Sequence, residues 1–413
     1  MPERSAQTIS QAPDTNTDSY DVVVVGGGPS GSTAATDLAK RGLSVLLLDK
    51  AGRIKPCGGA IPACLIREFD IPTDLLCARI NSARMIAPSN KSVDMPIDTG
   101  FVGMVNRETF DEWLRQRAVD SGAQRRNGLF TTLERSADGA PIVVYRDSEN
   151  RDVKVRAKFV IGADGARSKV AAQGMPDVKQ TPCVFAYHEI IKAPQHGAAA
   201  NDNGRYDPAR CDVYYQGKLS PDFYAWVFPH GDTASIGVGS AQKGFSLRTA
   251  VSTLRKDAGL STAPTVRTEG APIPMKPLKR WDNGRDVLVV GDAAGVVAPA
   301  SGEGIYYAMA CGRMGADAVY EALETGDAKA LSAARKRFMK EHGRVFWILG
   351  ILQYFWYGGE RRRERFVKIC EDPDVQRLTW ESYMNKKLVK KDPMAHVRVF
   401  FKDLGHLMGL ART

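Results

Sequence analysis

Short apolar runs alternate along the chain with glycine-rich turns and with stretches of helical periodicity. The first run, YDVVVV at residues 20–25, is typical of a parallel strand that is buried on both faces. It leads into a glycine-rich turn at residues 26–31, a predicted helix over residues 32–41 and a second buried strand over residues 44–48, which ends at Asp49. Strand, glycine turn, helix, strand and acid within about 30 residues predict a dinucleotide-binding unit.

Each position of the glycine turn has a physical task in this interpretation. Gly26 permits the tight turn, Gly28 lets the backbone approach a pyrophosphate, and Gly31 lets the helix pack close to the strand. Ser30 lies near the start of the helix, where unpaired N–H groups and the positive dipole end favour phosphates. Asp49 can accept hydrogen bonds from an adenosine ribose. A glycine-rich turn that binds nothing is the alternative, and the flanking strand, helix and acid count against it.

Two further buried strands end in a glycine and an acid far downstream. FVIGADG at residues 159–165 ends in Asp164-Gly165. VLVVGDAA at residues 287–294 contains Gly291-Asp292 and is followed by a predicted helix over residues 304–319. Three strand-end acids so far apart indicate one nucleotide site that is assembled from a discontinuous domain.

The segments between these motifs have a different pattern. β-Branched and aromatic residues with turn residues between them predict four strands, at residues 183–191, 211–216, 223–228 and 233–238. Tyr224, Trp226 and Phe228 alternate along one of them and therefore share one face. These three side chains belong either to the core of the sheet or to the wall of an apolar ligand cavity.

Composition places the chain among globular proteins, since 43% of its 413 residues are hydrophobic and 25% are charged. No run approaches the roughly 18 apolar residues of a membrane-spanning helix. Residues 1–19 are polar and predict a disordered leader rather than a secretory signal. The 7 cysteines form no C-x-x-C pair, so neither a disulfide framework nor a metal site is predicted, and a reducing, cytoplasmic compartment is expected.

The net charge of +10 is concentrated towards the C-terminal end. Residues 331–413 hold 18 Lys or Arg against 9 Asp or Glu, which suits nucleic acid or an anionic membrane surface. Within them, VFWILGILQYFWY at residues 345–357 lies between two basic clusters. An aromatic, apolar segment in that setting favours peripheral membrane contact, and a buried helix that closes a substrate cavity is the alternative. Nucleic acid would explain the charge but not the apolar run, so it is not an expected partner.

Together these motifs resemble the flavoprotein superfamily that includes p-hydroxybenzoate hydroxylase. The matching parts are Gly26-x-Gly28-x-x-Gly31, Asp164-Gly165, Gly291-Asp292 and Arg107 in NRxxFDxxL. Within that superfamily, KPCGG at residues 55–59 and PxxYxWxFP at residues 221–229 resemble the chlorophyll and bacteriochlorophyll branch of the geranylgeranyl reductases. The resemblance covers residues 20–330 with specific motifs and the remaining C-terminal part more loosely.

The resemblance implies a fold of the α/β class, α+β overall. It consists of a Rossmann-like FAD-binding domain, an inserted antiparallel β-sheet domain that binds the substrate, and a helical C-terminal region. The expected boundaries are residues 20–50, 101–175 and 275–330 for the FAD-binding domain, 51–100 and 176–274 for the substrate domain, and 331–413 for a basic region that attaches to a membrane.

The same resemblance implies which residues contact the FAD cofactor. They are Gly26, Gly28, Ser30, Gly31, Asp49, Arg107, Asp164, Gly165, Gly291, Asp292, Gly302 and Gly304. The glycine turn and Asp49 would hold the ADP half, and Arg107 would reach the phosphate or ribose region. Asp164 would lie near the pyrophosphate and Asp292 near the ribityl chain. The turn before the helix at Gly304 would direct backbone N–H groups at the flavin ring, where they stabilise the reduced, anionic form.

The activity implied is the saturation of three of the four double bonds in the geranylgeranyl tail of chlorophyll a or bacteriochlorophyll a, which gives a phytyl tail. Free geranylgeranyl diphosphate is a second candidate substrate. NADPH is the expected electron donor and would dock transiently, because the chain has no second G-x-G-x-x-G; a reduced ferredoxin is the alternative donor. The wall of the prenyl tunnel would include Tyr224, Trp226 and Phe228.

The implied catalytic segment is Cys57-Gly58-Gly59. The two glycines would let the backbone pass close to the flavin and place the Cys57 thiol near N5, where it could deliver a proton or position the alkene. The alternative is that Cys57 is a small buried residue that packs there for its shape.

The expected location is peripheral, on the cytoplasmic side of a bacterial photosynthetic membrane, with a prenylated tetrapyrrole as substrate; contacts with other pigment-synthesis proteins are compatible with it. Two other functions on the same fold are an FAD-dependent monooxygenase and a non-enzymatic prenyl-binding escort protein. The KPCGG and PxxYxWxFP motifs count against the first. Retention of all the FAD motifs counts against the second.

Overall fold

A computed structural model describes residues 17–50, 52, 54–179, 181–194 and 206–386. The strands in these ranges are β1 (Ser19–Val25), β2 (Val45–Asp49), β3 (Ala60–Ile61), β4 (Leu76–Ile80), β5 (Ser82–Ile86), β6 (Ser92–Pro96), β7 (Val102–Val105), β8 (Gln124–Asn127), β9 (Leu129–Arg135), β10 (Pro141–Arg146), β11 (Asp152–Gly162), β12 (Cys183–Lys192), β13 (Arg210–Tyr214), β14 (Ala225–His230), β15 (Thr233–Ser240), β16 (Thr265–Pro274) and β17 (Val287–Val289). The α-helices are α1 (Pro29–Ala39), α2 (Ala63–Glu68), α3 (Arg107–Asp120), α4 (Lys169–Gly174), α5 (Leu247–Asp257), α6 (Ile305–Thr325), α7 (Ser332–Trp356), α8 (Glu360–Ile369) and α9 (Pro373–Asn385). Short 3₁₀-helices lie at Thr73–Leu75, Gly291–Ala294 and Ala328–Leu331.

The first sheet contains the predicted dinucleotide-binding unit. Its strand order is β8-β2-β1-β11-β10-β9, and β17 also pairs with β11. Strands β8, β2, β1, β11 and β17 run parallel, and β10 and β9 extend the sheet in antiparallel fashion. Alternate residues of β1 pack towards α1 and α6 on one face and towards β9, β10 and α4 on the other. Burial on both faces is the reason that this strand consists of consecutive valines.

A second sheet has the order β16-β12-β15-β14-β13-β5-β6, and a third, small sheet has the order β3-β7-β4. The second sheet is antiparallel except for the pair β13–β5. Helix α5 packs against one of its faces, through the apolar side chains of β12, β14 and β15. The mixed α/β class and the helical C-terminal region are therefore confirmed, and the boundaries between domains stay a prediction.

Most element boundaries differ from the predicted ones by one or two residues, and the larger differences have physical reasons. Helix α1 begins at Pro29 rather than at residue 32, because proline fits the first turn of a helix, where its missing N–H is not needed. Helix α6 continues to Thr325 rather than residue 319, and ends where Gly326 adopts a φ of 68°. Strand β14 begins at Ala225, so that Tyr224 precedes it. Most of the predicted leader lies outside the described residues.

The C-terminal helices pack across both halves of the fold. Helix α7 packs on α6, and α8 packs against β6 at the edge of the second sheet. In the part of the chain that the structure describes, no helix combines the length and apolar character needed to cross a membrane. All seven cysteines lie in described ranges, and none of them forms a disulfide bond.

Candidate active site

A cavity of about 550 Å³ lies between the first sheet, α3 and the face of the second sheet opposite α5. Most of the predicted site residues line it: Gly26, Gly28, Ser30, Asp49, Cys57, Gly58, Arg107, Asp164, Gly165, Tyr224, Trp226, Phe228, Asp292, Gly302 and Gly304. The three remaining predicted site residues lie behind the lining residues; they are Gly31, Gly59 and Gly291. The structure thus brings segments between residues 25 and 308, which are far apart in sequence, to one site.

The glycine turn forms a cradle at one end of the cavity. A Cβ added to Gly26 would lie 2.3 Å from the carbonyl oxygen of Ala163. A Cβ added to Gly31 would lie 1.9 Å from the carbonyl oxygen of Gly26. At Gly28, by contrast, no atom lies within 4 Å of the Cβ position. Gly26 and Gly31 are therefore required by packing, whereas Gly28 keeps open a space that a side chain would fill.

Asp49 takes part in holding the glycine turn. Its carboxylate accepts a hydrogen bond of 2.9 Å from the Gly27 N–H and lies 3.2 Å from the guanidinium of Arg115. Arg115 lines the cavity as well and was not predicted from the sequence. A signal for it exists, because Arg107, Asp111 and Arg115 recur every four residues and so share one face of α3.

Arg107 is buried and has two partners in the cavity wall. It donates hydrogen bonds of 2.8 and 2.7 Å to the two carboxylate oxygens of Asp111, and it also interacts with the Cys57 sulfur. Burial disfavours its charge, but Asp111 and Cys57 raise the pKa of the guanidinium above its ordinary value. Arg107 therefore stays charged and connects the Cys57 segment to α3, and its contact with a phosphate or ribose stays a prediction.

The two other strand-end acids also have protein partners. Asp164 accepts hydrogen bonds from the Ser168 hydroxyl and from two backbone N–H groups at the start of α4, and burial raises its pKa. Asp292 forms an ion pair with Lys55, a lining residue from the KPCGG segment that was not predicted as a site residue. This pair holds the Asp292 turn and residues 55–59 together at the cavity.

An aromatic wall, defined as Tyr224, Trp226 and Phe228, covers the second-sheet side of the cavity. The Trp226 ring lies 5.9 Å from the Tyr224 ring and 6.2 Å from the Phe228 ring between centroids. The Tyr224 hydroxyl donates to the Ser301 carbonyl oxygen at 2.6 Å, and burial raises its pKa. A Cβ at Gly58 would lie 3.0 Å from the Phe228 ring, so the Cys57 segment packs directly on this wall.

Gly59, predicted as part of the catalytic segment, lies at a position where close packing leaves no room for a side chain. It has a φ of +72°, and a Cβ there would lie 2.5 Å from the Val105 carbonyl oxygen and 2.6 Å from His230 Nε2. Burial lowers the pKa of His230 to about 4, so its imidazole is neutral near pH 7. The Cys57 sulfur lines the cavity and accepts a hydrogen bond of 3.4 Å from the Gly59 N–H.

The loop before α6 is held from behind by a buried ion pair. Gly302 and Gly304 line the cavity, whereas Glu303 between them pairs with Lys386, and both charged side chains are almost completely buried. The Lys386 ammonium also lies 3.8 Å from the centroid of the Tyr383 ring. Sequence patterns missed this pair, because its members come from distant parts of the chain.

The apolar segment at residues 345–357 lies in α7 and the residue that follows it. Gln353 accepts a hydrogen bond from the Ala300 N–H, and Tyr357 donates one of 2.7 Å to the Ala300 carbonyl oxygen, which attaches the end of α7 to the loop before α6. On another side of the helix, Trp347 and Tyr354 are 68% and 76% exposed. The segment therefore supports the cavity and also presents aromatic side chains to the outside.

Arg363 belongs by sequence to the basic cluster that follows residues 345–357, and its expected place at an anionic surface is wrong. Its side chain is 1% exposed and donates to the carbonyl oxygens of Ser220, Pro221 and Tyr357. It anchors α8 to the segment before β14 instead of facing an anionic partner. Among the described residues, no group of three or more His, Cys, Asp or Glu is placed to hold a metal ion.

Comparisons with known proteins agree with this architecture. The family model described as "Lycopene cyclase protein" matches residues 21–196 and 243–403. The geranylgeranyl diphosphate reductase of Rhodobacter capsulatus is 57% identical over 392 residues, which cover 95% of this chain and 98% of the relative. The chain belongs to the geranylgeranyl reductase family. Another member, the chloroplastic geranylgeranyl diphosphate reductase of Oryza sativa subsp. japonica, is 37% identical and covers 94% of this chain and 86% of its own.

Solved structures place this reductase family in a common flavoprotein fold. A geranylgeranyl bacteriochlorophyll reductase-like protein from Thermoplasma acidophilum has a TM-score of 0.79 at 23% identity, covering 96% of this chain and 99% of its own. The flavin-dependent brominase Bmp2 has a TM-score of 0.73 at 18% identity, covering 95% and 100%. The cradle fits FAD, because Gly28 and Gly165 both leave open space on the cavity side of the first sheet.

Proposed function

We propose that the protein is an FAD-dependent reductase that saturates three double bonds in the geranylgeranyl tail of chlorophyll a or bacteriochlorophyll a, with NADPH as the electron donor. The observation that carries this proposal is the continuity of one cavity from the glycine cradle to the aromatic wall. A flavin and an apolar chain would lie against each other in such a space. The names of the relatives make geranylgeranyl diphosphate a second candidate substrate.

The residues of the cavity have tasks that suit an unactivated alkene. FAD, when bound, supplies the hydride for each reduction. Because an isolated alkene offers no polar group to hold, the protein contributes position and the exclusion of water. Trp226, Phe228 and Ile273 provide an apolar surface with similar, weak contacts along its length, which lets the tail move between reductions. Cys57 is our candidate for positioning the alkene or supplying the proton.

We also propose peripheral contact with the cytoplasmic side of a photosynthetic membrane, made through α7. Trp347 and Tyr354 lie seven residues apart, two helical turns, and both are exposed. Arg344, Arg361 and Arg362 are exposed at either end of this surface and would attract anionic headgroups. The helix also contacts the loop before α6, which lines the cavity, so we expect a lipid tail to enter from this side.

Anaerobic turnover with geranylgeranyl-bacteriochlorophyll a tests the proposed activity. Purified protein in detergent receives NADPH, and mass spectrometry follows the tail. We expect successive additions of two hydrogen atoms that stop after the third. Flavin that is bleached by NADPH without any change in tail mass would exclude the pigment as substrate, and geranylgeranyl diphosphate would be tested next.

Two further arms separate the alternatives. If dithionite supports reduction where NADPH does not, the reductase stands and the donor is another protein or cofactor. If NADPH oxidation requires oxygen and the product gains one oxygen atom, the protein is a monooxygenase. A colourless protein that binds prenyl chains without reducing them would be an escort protein.

A further inference from the structure

A chain of hydrogen bonds runs through the second sheet from the aromatic wall to the surface. The indole N–H of Trp226 donates to Ser235 Oγ at 3.1 Å, and this oxygen lies 2.8 Å from His188 Nδ1. His188 Nε2 lies 2.8 Å from one carboxylate oxygen of Glu269. Arg267, whose side chain is partly exposed, donates to the other oxygen at 2.6 Å.

The strand register brings these residues together. Gly237 of β15 is paired with Trp226 of β14 on one side and with His188 of β12 on the other. A Cβ at Gly237 would lie 2.2 Å from Cζ2 of the indole, so the ring lies flat over this glycine. Ser235, two residues earlier on the same face of β15, then receives the indole N–H, and His188 is paired with Glu269 on β16.

Burial makes hydrogen-bond partners necessary for the inner groups of this chain. Ser235, His188 and Trp226 are 0%, 2% and 6% exposed, so their polar atoms have little access to solvent. An indole N–H without an acceptor would be costly in such a place, and the same holds for the Ser235 hydroxyl and the His188 ring behind it. Burial also opposes the charge of Glu269, yet the hydrogen bonds from His188 and Arg267 lower its pKa, so the chain ends on a carboxylate.

The chemistry of the groups indicates that this chain of hydrogen bonds positions the Trp226 indole and does not deliver a proton. Both ring nitrogens of His188 are engaged inside the wall, by Ser235 and Glu269. The indole N–H of Trp226 is a donor only and does not pass a proton onward. His188 and Trp226 nevertheless both line the cavity, so the arrangement of the chain determines the shape of the wall.

We propose that Ser235, His188 and Glu269 are positioning residues that hold the Trp226 indole in one orientation and thereby set the register of a prenyl tail on the wall. This inference rests on the proposed function. The last reduction depends most on it, because each saturation converts a rigid double bond into a freely rotating one. A more saturated tail therefore loses more conformational freedom when it is placed for reaction.

A double-mutant cycle with Ser235→Ala and Trp226→Phe tests this coupling. We expect Ser235→Ala to slow the third reduction relative to the first by roughly tenfold, since a small misplacement of reacting groups has large effects on rate. Reduction of the bound flavin stays at the wild-type rate. In the Trp226→Phe background, which has no indole N–H, Ser235→Ala has little further effect. Ser235→Thr keeps the hydroxyl and restores the wild-type product distribution.

A spectroscopic experiment follows the hydrogen bond between the Trp226 indole and Ser235 in the absence of substrate. The chain has 6 tryptophans, and Trp226→Phe assigns one indole N–H signal in a ¹⁵N–¹H spectrum. We expect Ser235→Ala and His188→Leu to shift this signal and to leave the others in place. If Ser235→Ala does not fold, Glu269→Gln tests the same coupling from the less buried end of the chain.

Ser246→Ala is the matched control. It removes the hydroxyl that caps α5, a helix on the opposite face of the sheet, and should lower stability without changing the product distribution. Equal effects of Ser235→Ala in both backgrounds, or an indole shift with an unchanged product distribution, would overturn the inference. If the wild-type protein reduces no prenyl tail, the proposed function fails, and an unshifted indole signal would then exclude the hydrogen-bond chain itself.

Discussion

Gly28 and Gly31 belong to the same glycine motif, but the absence of a side chain matters at each for a different reason. Gly31 faces protein, because a Cβ there would lie 1.9 Å from the Gly26 carbonyl oxygen. Gly28 faces the cavity, and its backbone is extended, with a φ of −78°, which alanine adopts without strain. Replacing each by alanine therefore separates folding from cofactor binding.

We expect Gly28→Ala to keep the thermal midpoint of the apoprotein and to weaken FAD binding by roughly tenfold or more, because its methyl group enters the cofactor space, and each tenfold is about 1.4 kcal/mol. Gly31→Ala should instead destabilise the apoprotein by about 1–3 kcal/mol through overpacking. Thermal unfolding without FAD and titration of flavin fluorescence measure the two effects. A similar drop in apoprotein stability for both variants would contradict the assignment of Gly28 to the cofactor space.

At the scale of elements, local patterns predicted β1, α1 and β2 well because burial on both faces and the glycine turn are both local signals. Alternation along β14 predicted that Trp226 and Phe228 share a face, but not that α5 covers the opposite one. That outcome depends on which helix packs there. Long-range pairs have no local signal at all: His188 and Glu269 are 81 residues apart, and Glu303 and Lys386 are 83 residues apart.

The Glu303–Lys386 pair joins the end of α9 to the loop before α6. Lys386→Met would leave Glu303 buried without its counterion, which costs about 3–5 kcal/mol of unfolding free energy. The double variant Glu303→Leu/Lys386→Met removes both charges and should recover most of that loss. Denaturant midpoints measure both. Lys368→Met, at an exposed position on α8, is the matched control and should change little. A double variant as unstable as Lys386→Met alone would show that the pair is not the source of the loss.

At the scale of the whole molecule, helix α7 lies between the loop that lines the cavity and an exposed aromatic surface. The sequence predicted the concentration of basic charge and left two uses of residues 345–357 open, membrane contact or closure of the cavity. Helix α7 exposes Trp347 and Tyr354 on one side and on another side holds the loop before α6, which lines the cavity, so membrane contact stays a proposal. A count of basic residues does not show which of them face solvent. The guanidinium of Arg363, for example, donates its hydrogen bonds to buried carbonyl oxygens.

Removal of the two exposed aromatic side chains of α7 tests the proposed membrane contact. We expect Trp347→Ser/Tyr354→Ser to weaken binding to anionic lipid vesicles by roughly tenfold or more, because apolar area that enters the interface supplies much of the affinity. Cosedimentation with vesicles measures binding, and thermal unfolding should show an unchanged midpoint. Val266→Ser, an exposed apolar position on β16 at the other edge of the second sheet, controls for general surface hydrophobicity. If both variants lose vesicle binding equally, α7 is not the surface that meets the lipid, and the path from bilayer to cavity must lie elsewhere.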